Sequence, residues 1–214
     1  TRNGLAHILS DGTVDPNWNP NANSYVSSIA VSGSTIYISG GFTSIGGVTR
    51  NYFAAVDATT GALLGWDPNG NSNASIVVSG STVYLGGFFT TIGGVTRNYF
   101  AAVDATTGAL LSWDPNANNA IWQLAISGST LYAAGKFTTI GGVARSRLAA
   151  FDTTTGTLLS WNPNANDQAY RITPSGSTLY VGGKFTTIGG TTRNKAAAIG
   201  TDGTLLSWNP NGGG

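Results

Sequence analysis

The sequence predicts an all-β fold, a β-propeller whose blades are four-stranded antiparallel sheets. The first observation behind this prediction is a repeated phrase: Trp, then Asp or Asn, then Pro-Asn. Its tryptophans stand 48, 47, 48 and 47 residues apart, at Trp18, Trp66, Trp113, Trp161 and Trp208. The second is that each step holds four short stretches rich in Val, Ile, Tyr, Phe and Leu, separated by Gly, Ser, Thr and Asn, with no sustained helical period. A β-solenoid is the alternative, although its coils usually need only about 20–30 residues.

The first complete repeat shows how four strands, A to D, follow one another. Strand A is followed by the turn Ser-Gly-Ser, and strand B is followed by a Gly-rich loop. Strand C is followed by the turn Ala-Thr-Thr-Gly, and strand D is followed by an Asp-Pro-Asn loop. The predicted bounds of strands A to D are 25–31, 35–42, 52–57 and 62–66, with the Gly-rich loop at 43–51. Proline breaks each repeat at its end, because it donates no backbone hydrogen bond.

The whole chain, 1–214, is predicted to be one domain of four and a half blades. A half-blade at 1–21 holds only strands C and D, and complete blades follow at about 22–69, 70–116, 117–164 and 165–211. The unpaired inner edge of the half-blade predicts association. Two explanations stay open: the chain is a piece of a longer propeller of five or more blades, or two outer hairpins pair across a two-fold axis. The absence of Met favours a processed chain or a piece of a larger protein.

The composition excludes several classes of function. Charged residues make up 9% of the chain and the net charge is +1, which argues against a strongly basic nucleic-acid binder. There is no Cys, so neither a disulfide framework nor a thiolate zinc site can form. No apolar run reaches the roughly 18 residues of a membrane-spanning helix, so no membrane span is expected.

Two phrases of the repeat resemble known propellers. The stretch AAVDATTGALLGW at 54–66 resembles the A-x-D-x-x-T-G-x-x-x-x-W phrase of quinoprotein-type propellers, in which the Trp has a structural role. The longer stretch at 32–69, and RNGLAHILSDGTVDPNWNPNAN at 2–23, resemble bacterial delta-60 repeats more closely. The resemblance covers essentially the whole chain. It implies a propeller module of a large secreted or cell-surface bacterial protein.

Several residues that keep their place in every repeat are predicted to be structural. The five phrase tryptophans are expected to pack between neighbouring blades. The Asp of the Val-Asp-Ala-Thr-Thr-Gly type of turn is expected to accept backbone N–H bonds; these residues are Asp57, Asp104 and Asp152, with Asp11 and Asp202 in a shorter Asp-Gly-Thr version. The Gly-Gly pairs of the Gly-rich loops are expected to adopt positive φ.

A rim of arginines is predicted beside the Asn-rich loops, because alternating strand direction brings the B–C and D–A loops to one face. Arg2 shares its phase with the rim residues Arg50, Arg97, Arg145 and Arg193. Arg50 and Arg97 are expected to pair with Asp67 and Asp114. The alternative is that these guanidinium groups bind a carboxylate or sugar hydroxyls.

A candidate ligand site comes from the differences between repeats. When the A strands are aligned on their Ser-Gly turn, one column reads Ser27, Ala74, Trp122, Tyr170, and the next reads Ser28, Ser75, Gln123, Arg171. Two aromatic side chains, with Gln123, Arg171 and the nearby Asp167, suit a sugar ring or a peptide side chain. The alternative is that Trp122 and Tyr170 merely fill the central funnel of the propeller.

Catalytic patterns are nearly absent, so we expect no enzyme, no cofactor and no metal site. His7 is the only His and is predicted to be an ordinary strand residue, and the sequence has no Glu. The function expected is that of a non-catalytic extracellular module that recognises a glycan or a protein partner on its loop face. A purely structural, self-associating repeat and a fragment of a quinoprotein-like enzyme are the alternatives.

Overall fold

The computed structural model describes residues 1–211, which form strands and turns and no helix, so the all-β prediction is confirmed. By its internal contacts the chain divides into two compact units. Unit 1 comprises Thr1–Arg97 and Ala101–Ser112, and unit 2 comprises Asn98–Phe100 and the residues from Trp113 onwards. None of the described residues belongs to a helix that is long and apolar enough to cross a membrane.

We name the stretch 1–21 the leading segment, and 22–69, 70–116, 117–164 and 165–211 repeats 1 to 4. Repeats 1 and 2 supply the strands of unit 1, with Phe100 of the last strand assigned to unit 2. These strands are β1 (Val26–Ser32), β2 (Thr35–Gly40), β3 (Ser44–Ile45), β4 (Val48–Thr49), β5 (Phe53–Asp57), β6 (Ala74–Ser79), β7 (Thr82–Gly87), β8 (Thr91–Ile92), β9 (Val95–Thr96) and β10 (Phe100–Asp104).

Repeats 3 and 4 supply the strands of unit 2 in the same order. They are β11 (Ile121–Ser127), β12 (Thr130–Gly135), β13 (Thr139–Ile140), β14 (Val143–Ala144), β15 (Leu148–Asp152), β16 (Ala169–Ser175), β17 (Thr178–Gly183), β18 (Thr187–Ile188), β19 (Thr191–Thr192) and β20 (Ala196–Gly200).

Every repeat contains one three-stranded antiparallel sheet with strand B in the middle, and one two-stranded hairpin. The sheets have the orders β1-β2-β5, β6-β7-β10, β11-β12-β15 and β16-β17-β20. In repeat 1 a two-residue connection joins β1 to β2, since Ser32 pairs with Thr35. Gly33 in this connection has a φ of 56°. A glycine adopts this left-handed conformation without steric strain because it has no Cβ. The apolar middle strand is mostly buried in repeats 1 to 3 and partly buried in repeat 4, so the core of each repeat lies on it.

Strand D is much shorter than predicted. In repeat 1 the stretch 62–66 contributes one antiparallel bridge, between Val56 and Leu63, flanked by two backbone hydrogen bonds of 2.8 Å. Leu64 N–H donates the second of them to Ala55. Beyond it the chain turns away, and Pro68 has no N–H with which to continue a ladder. Each repeat is therefore a three-stranded sheet with a single bridge at its outer edge, not a four-stranded blade.

The Gly-rich loop is more ordered than predicted, because it holds a hairpin of its own. Strands β3 and β4 pair through Ser44 with Thr49 and Ile45 with Val48. Gly46 and Gly47 form the turn at φ values of 57° and 83°, and the Gly-Gly pairs of the other three repeats do the same. Positive φ at both turn positions is what a two-residue hairpin of this kind requires, and it fits the expectation for these glycines.

The leading segment contains no named strand among its described residues, so the predicted C and D strands are wrong there. Ile8 and Val14 form one antiparallel bridge. His7 lies just before this bridge and outside any strand, and its Nδ1 is 3.0 Å from Oδ2 of Asp15. The segment is a tight hairpin-like turn held by a few hydrogen bonds, because it is too short to build a ladder on both sides.

Buried tryptophans join successive repeats within each unit. Each lies in a hydrophobic cluster with the phenylalanine that stands two residues after strand B of the following repeat. The pairs are Trp18 with Phe42, Trp66 with Phe89, and Trp161 with Phe185. Burying such a ring stabilises the fold by about 2–3 kcal/mol from area alone.

The indole N–H groups fix how one repeat meets the next. Trp66 Nε1 donates to the backbone oxygen of Asp104 at 2.9 Å, and Trp113 Nε1 donates to that of Gly156 at 2.7 Å. The acceptor in each case belongs to the turn after strand C of the following repeat. Gly156 has a φ of 72°, and a Cβ there would lie 2.5 Å from Cδ1 of Trp113. The turn is therefore glycine for two reasons, its backbone conformation and the indole that covers it.

Replacing Gly156 by Ala should destabilise the protein more than the same change at Gly142. Gly142 has a φ of 74°, so both substitutions carry about the same backbone strain of roughly 1–2 kcal/mol. Only the Cβ at Gly156 meets the indole, because Gly142 has open space around it. We expect an additional loss of about 1–3 kcal/mol from the displaced ring. Urea denaturation measures both free energies of unfolding, and equal losses would contradict the role of the tryptophan contact.

Candidate binding site

The structure brings the two predicted aromatic residues together. Trp122 on β11 and Tyr170 on β16 belong to strands that lie beside each other in unit 2. Their ring centroids are 5.7 Å apart and the rings are perpendicular, at 88°. Trp122 is half-buried and Tyr170 is exposed, so the pair is accessible from outside. An edge-to-face pair of this kind is a favoured aromatic arrangement and holds both rings in place.

Trp122 and Tyr170 are both β-bulge residues. The pairing of β11 with β12 shifts between Ile121 and Gln123, and that of β16 with β17 shifts between Ala169 and Arg171. The residue between each pair is thus the extra one, left out of the ladder. A bulge redirects the side chain it carries, and bulges are frequent next to functional sites.

The bulges correct the predicted alignment of the A strands. Strand β6 has no bulge, and its Ala74 pairs with Gly87 as Ile121 pairs with Gly135. Ala74 is therefore the counterpart of Ile121, and Trp122 has no counterpart in repeat 2. The sequence does contain a signal for this difference. The stretch from Trp66 to Arg97 is one residue shorter than the equivalent stretches that end at Arg50, Arg145 and Arg193.

The polar residues predicted beside the pair differ in what they do. Gln123 Oε1 accepts the backbone N–H of Ile172 at 2.8 Å, as Ser28 Oγ accepts that of Ile76 at 2.9 Å in repeat 1. Gln123 thus ties two neighbouring A strands together. Arg171 is exposed and donates from Nη1 to the backbone oxygen of its neighbour Tyr170 at 3.1 Å.

Asp167 lies in the loop that leads into β16. Its Oδ1 accepts the backbone N–H of Gln168 at 2.7 Å, and its side chain is partly exposed. Asp167 and Arg171 therefore flank Tyr170 in the chain with opposite charges, one before the strand and one within it. Groups of this kind can accept and donate hydrogen bonds to a polar ligand that lies on the aromatic rings.

The rim arginines bind the backbone of their own repeats. Arg50 donates from Nη2 to Leu64 O at 3.3 Å and from Nη1 to Thr49 O at 2.9 Å. The same pair of bonds recurs in the other repeats, at Arg97, Arg145 and Arg193. Arg50 Nη1 also lies 3.7 Å from Oδ2 of Asp67, which is the predicted ion pair. These guanidinium groups satisfy the carbonyls at the end of the shortened strand D.

The sequence analysis did not predict the hydrogen bonds made by the second Asn of each Pro-Asn-x-Asn loop. Asn23 Oδ1 accepts the backbone N–H groups of Thr43 at 2.8 Å and Ser44 at 3.1 Å, and its Nδ2 donates to Thr43 Oγ1 at 2.9 Å. The same bonds recur at Asn71, Asn118 and Asn166. The fixed Asn-x-Asn spacing was the signal, since only a structural task explains its return in every repeat.

Amide-lined grooves run beside these loops. In unit 2 a cavity of about 390 Å³ is lined by Asn98, Tyr99, Asn116, Asn118 and Thr139, among others. Tyr99 has a φ of 63°, a left-handed conformation that a bulky residue rarely adopts. Unit 1 has a counterpart of about 780 Å³ at the leading segment, lined by residues that include Arg2, Asn21 and Tyr25. The asparagines of the groove in unit 2 bond to each other, Asn98 Nδ2 donating to Asn116 Oδ1 at 3.2 Å.

The turn aspartates accept the hydrogen bonds expected of them. Asp57 Oδ1 accepts the backbone N–H of Thr60 at 2.7 Å, its hydroxyl at 2.8 Å and the N–H of Thr59 at 3.0 Å. The N–H of Thr60, followed by its hydroxyl, holds the pKa of Asp57 below its ordinary value, because these bonds favour the ionised form. Asp104 and Asp152 have lowered pKa values from the equivalent threonines.

Comparisons with known proteins concern the fold alone. The sequence matches no protein-family model and no curated protein. Among solved structures, the computationally designed Ika4 protein matches with a TM-score of 0.55 and 17% identity, over 88% of this chain and 93% of its own. The computationally designed Ika8 protein matches with a TM-score of 0.51 and 15% identity, over 92% of this chain and 64% of its own.

Acid should destabilise the protein through its turn aspartates. A carboxyl whose pKa is lowered by folding stabilises the folded state above its unfolded pKa, and this contribution is lost as the pH falls below about 4. A variant with Asn at Asp57, Asp104 and Asp152 should therefore lose less stability between pH 6 and pH 3 than the parent. Thermal unfolding at stepped pH values measures this.

The control for this experiment carries Asn at Asp67, Asp114 and Asp167, which lie outside these turns. It changes the net charge by the same amount. If both triple variants show the same loss of stability on acidification, the turn hydrogen bonds are not its source.

Deleting Trp122 should leave the fold intact, because it converts β11 to the pairing that β6 already has. Leu124 is paired in register with Ala133. Its deletion should move the side chains on one side of it from the buried face of the sheet to the exposed face, and the reverse, and so destabilise the sheet strongly. Thermal unfolding of the two deletion variants compares them directly. A loss of cooperative unfolding on deletion of Trp122 would show that the bulge is needed for the fold.

Proposed function

We propose that the protein is a non-catalytic carbohydrate-binding module and that Trp122 and Tyr170 form its contact surface. The observation that carries this proposal is that two accessible aromatic rings stand on neighbouring strands, each at a bulge. The bulges are not needed to build the sheet, since β6 pairs with β7 without one. Repeat 1 has the same bulge at Ser27, whose hydroxyl donates to Ser39 O and accepts from Asn73 Nδ2. In repeats 3 and 4 the bulge holds an accessible aromatic ring instead, which supports a task outside the fold.

A sugar ring suits this surface better than a charged ligand does. Aromatic side chains offer an apolar face and a fixed orientation, which fits the C–H face of a sugar. The chain as a whole carries few charges, so it has no strong field to attract a polyanion or a polycation. Asp167 and Arg171 supply the hydrogen-bonding groups that orient hydroxyls, and Gln123 holds the two strands in register.

The proposed architecture is a β-propeller of the delta-60 type, with the repeats as blades around one axis. Two features support it. Within each unit the A strands of successive repeats lie against each other, β1 with β6 and β11 with β16. Each phrase tryptophan in the interior of a unit also joins its repeat to the next. In such an arrangement the A strands line the centre, and Trp122 and Tyr170 stand where a ligand enters it.

The proposed setting is the outside of a bacterial cell, on a secreted or surface protein. The support is the resemblance of the repeats to delta-60 sequences.

Binding can be tested with soluble oligosaccharides. A glycan array identifies candidates, and titration of cellotetraose, chitotetraose and xylotetraose by calorimetry measures affinity. For a sugar that binds, Trp122→Ala and Tyr170→Ala should each weaken binding by at least about tenfold, because truncation of a central aromatic anchor typically costs more than about 1.4 kcal/mol.

The matched control is Tyr25→Ala, which truncates another exposed tyrosine in unit 1. It should leave the affinity unchanged. Binding that survives the double substitution of Trp122 and Tyr170 would remove this surface from the proposal. An array on which no glycan binds would overturn the proposal itself, and capture of a peptide at the same residues would reassign the ligand.

A further inference from the structure

One join in each unit uses the same two kinds of aromatic residue. We call them the joining pair: the Tyr of strand B and the Trp that ends the repeat. In repeat 1 these are Tyr37 and Trp66, with ring centroids 5.1 Å apart. Tyr37 Oη donates to Ala105 O at 2.7 Å and Trp66 Nε1 donates to Asp104 O, so both side chains bind the turn after strand C of repeat 2.

Repeat 4 ends in a joining pair that nothing in residues 1–211 covers fully. Tyr180 and Trp208 have the geometry of the buried pair Tyr132 and Trp161, with centroids 5.3 Å apart in place of 5.2 Å. Yet Tyr180 and Trp208 are 41% and 46% exposed, whereas Tyr132 and Trp161 are 2% and 5% exposed. The rings are thus already set for a join, with their outer side open to solvent.

The leading segment carries a turn of the kind that accepts such a pair. We call the stretch 9–13 the open turn and the stretch 200–204 of repeat 4 the occupied turn. Leu9 N–H donates to Thr13 O at 2.8 Å, as Gly200 N–H donates to Thr204 O at 2.7 Å. Gly12 N–H donates to Leu9 O at 2.9 Å, as Gly203 N–H donates to Gly200 O at 2.9 Å.

The occupied turn shows what the open turn can hold. Trp161 Nε1 donates to Gly200 O at 3.1 Å, and a Cβ at Gly203 would lie 3.5 Å from the Trp161 ring. A Cβ at Gly12 would have no neighbour within 4 Å among residues 1–211, apart from the adjoining residues in the chain. The open turn therefore has the backbone hydrogen bonds of a turn that binds a tryptophan, but no tryptophan of residues 1–211 contacts its glycine.

The apolar surface around the open turn is uncovered as well. Ile8, beside the turn, is exposed, whereas its counterpart Ile199 is fully buried. Leu9 in the turn and Val14, which pairs with Ile8, are exposed as well. Accessible apolar groups gathered in this way mark an interaction surface.

We propose that the Tyr180–Trp208 pair of one copy docks on the open turn and on Ile8 of a second copy, since Ile199, the counterpart of Ile8, lies in the cluster of Trp161. Trp208 Nε1 then donates to Leu9 O of the second copy, as Trp161 does to Gly200 O within one chain. The second copy is the partner because this chain presents both halves of a contact that it already makes internally. The contact is heterologous, so each copy uses two different surfaces, and copies assemble head to tail into a closed ring or an open chain.

Sedimentation and light scattering over a wide concentration range test the proposal. The mean mass of the parent should rise with concentration. Trp208→Ala and Ile8→Asp should each weaken self-association by at least tenfold and remain monomeric where the parent does not. Val48→Asp, which places the same charge on an exposed valine of the β3–β4 hairpin, should associate like the parent.

Mixing the two variants distinguishes a head-to-tail contact from a symmetric one. The Trp208→Ala copy keeps its open turn and the Ile8→Asp copy keeps its joining pair, so an equimolar mixture should form a dimer through one intact contact. A parent that stays monomeric at all concentrations overturns the proposal. So does an Ile8→Asp variant that associates like the parent, or a mixture that remains monomeric.

Discussion

The contact of Trp18, Trp66, Trp113 and Trp161 with the turn of the following repeat is the constraint on which the rest of the structure depends. The ring needs a turn with no side chain over it, and the indole N–H of the last three also needs a backbone oxygen of that turn at hydrogen-bond distance. Trp113 meets both conditions at Gly156, where the N–H bond is 2.7 Å long and the left-handed glycine leaves room for the ring. The spacing of the turn from the tryptophan must then be the same in every repeat. This requirement explains why the period of the chain varies by only one residue.

The sequence predicted most accurately the strands whose positions depend only on the local residue pattern. The A, B and C strands of repeat 1 lie within a residue or two of their predicted bounds, because alternating apolar residues and Gly turns fix a hairpin locally. The prediction for strand D was wrong because an apolar composition does not by itself provide a strand to pair with. Leu64 donates to Ala55, but the chain then turns away so that Trp66 can reach the next repeat. That requirement comes from tertiary contacts, which a strand pattern does not show.

The candidate site was predicted in its residues and missed in its geometry. Trp122 and Tyr170 were found as deviations between near-identical repeats, and they do meet. Their status as bulge residues was missed because an alignment on one turn assumes an unbroken ladder, and β11 breaks its ladder at Trp122. The sequence could not show that Gln123 is structural and not part of the candidate site, because its bond to the backbone N–H of Ile172 depends on how the two strands lie together.

Two accessible aromatic pairs of residues 1–211, Trp122–Tyr170 and Tyr180–Trp208, have similar edge-to-face geometry but different relations to the rest of the chain. Tyr180 and Trp208 repeat a pair that is buried elsewhere in the same chain, so their exposure is explained by a missing surface of the same kind. Trp122 and Tyr170 repeat nothing: repeat 2 has no residue at their position, and repeat 1 has Ser27 there. A surface that copies an internal contact is suited to more of the same protein, whereas one without an internal counterpart is suited to a different molecule. Comparison of the repeats therefore separates the residues that assemble the fold from those proposed to bind a ligand.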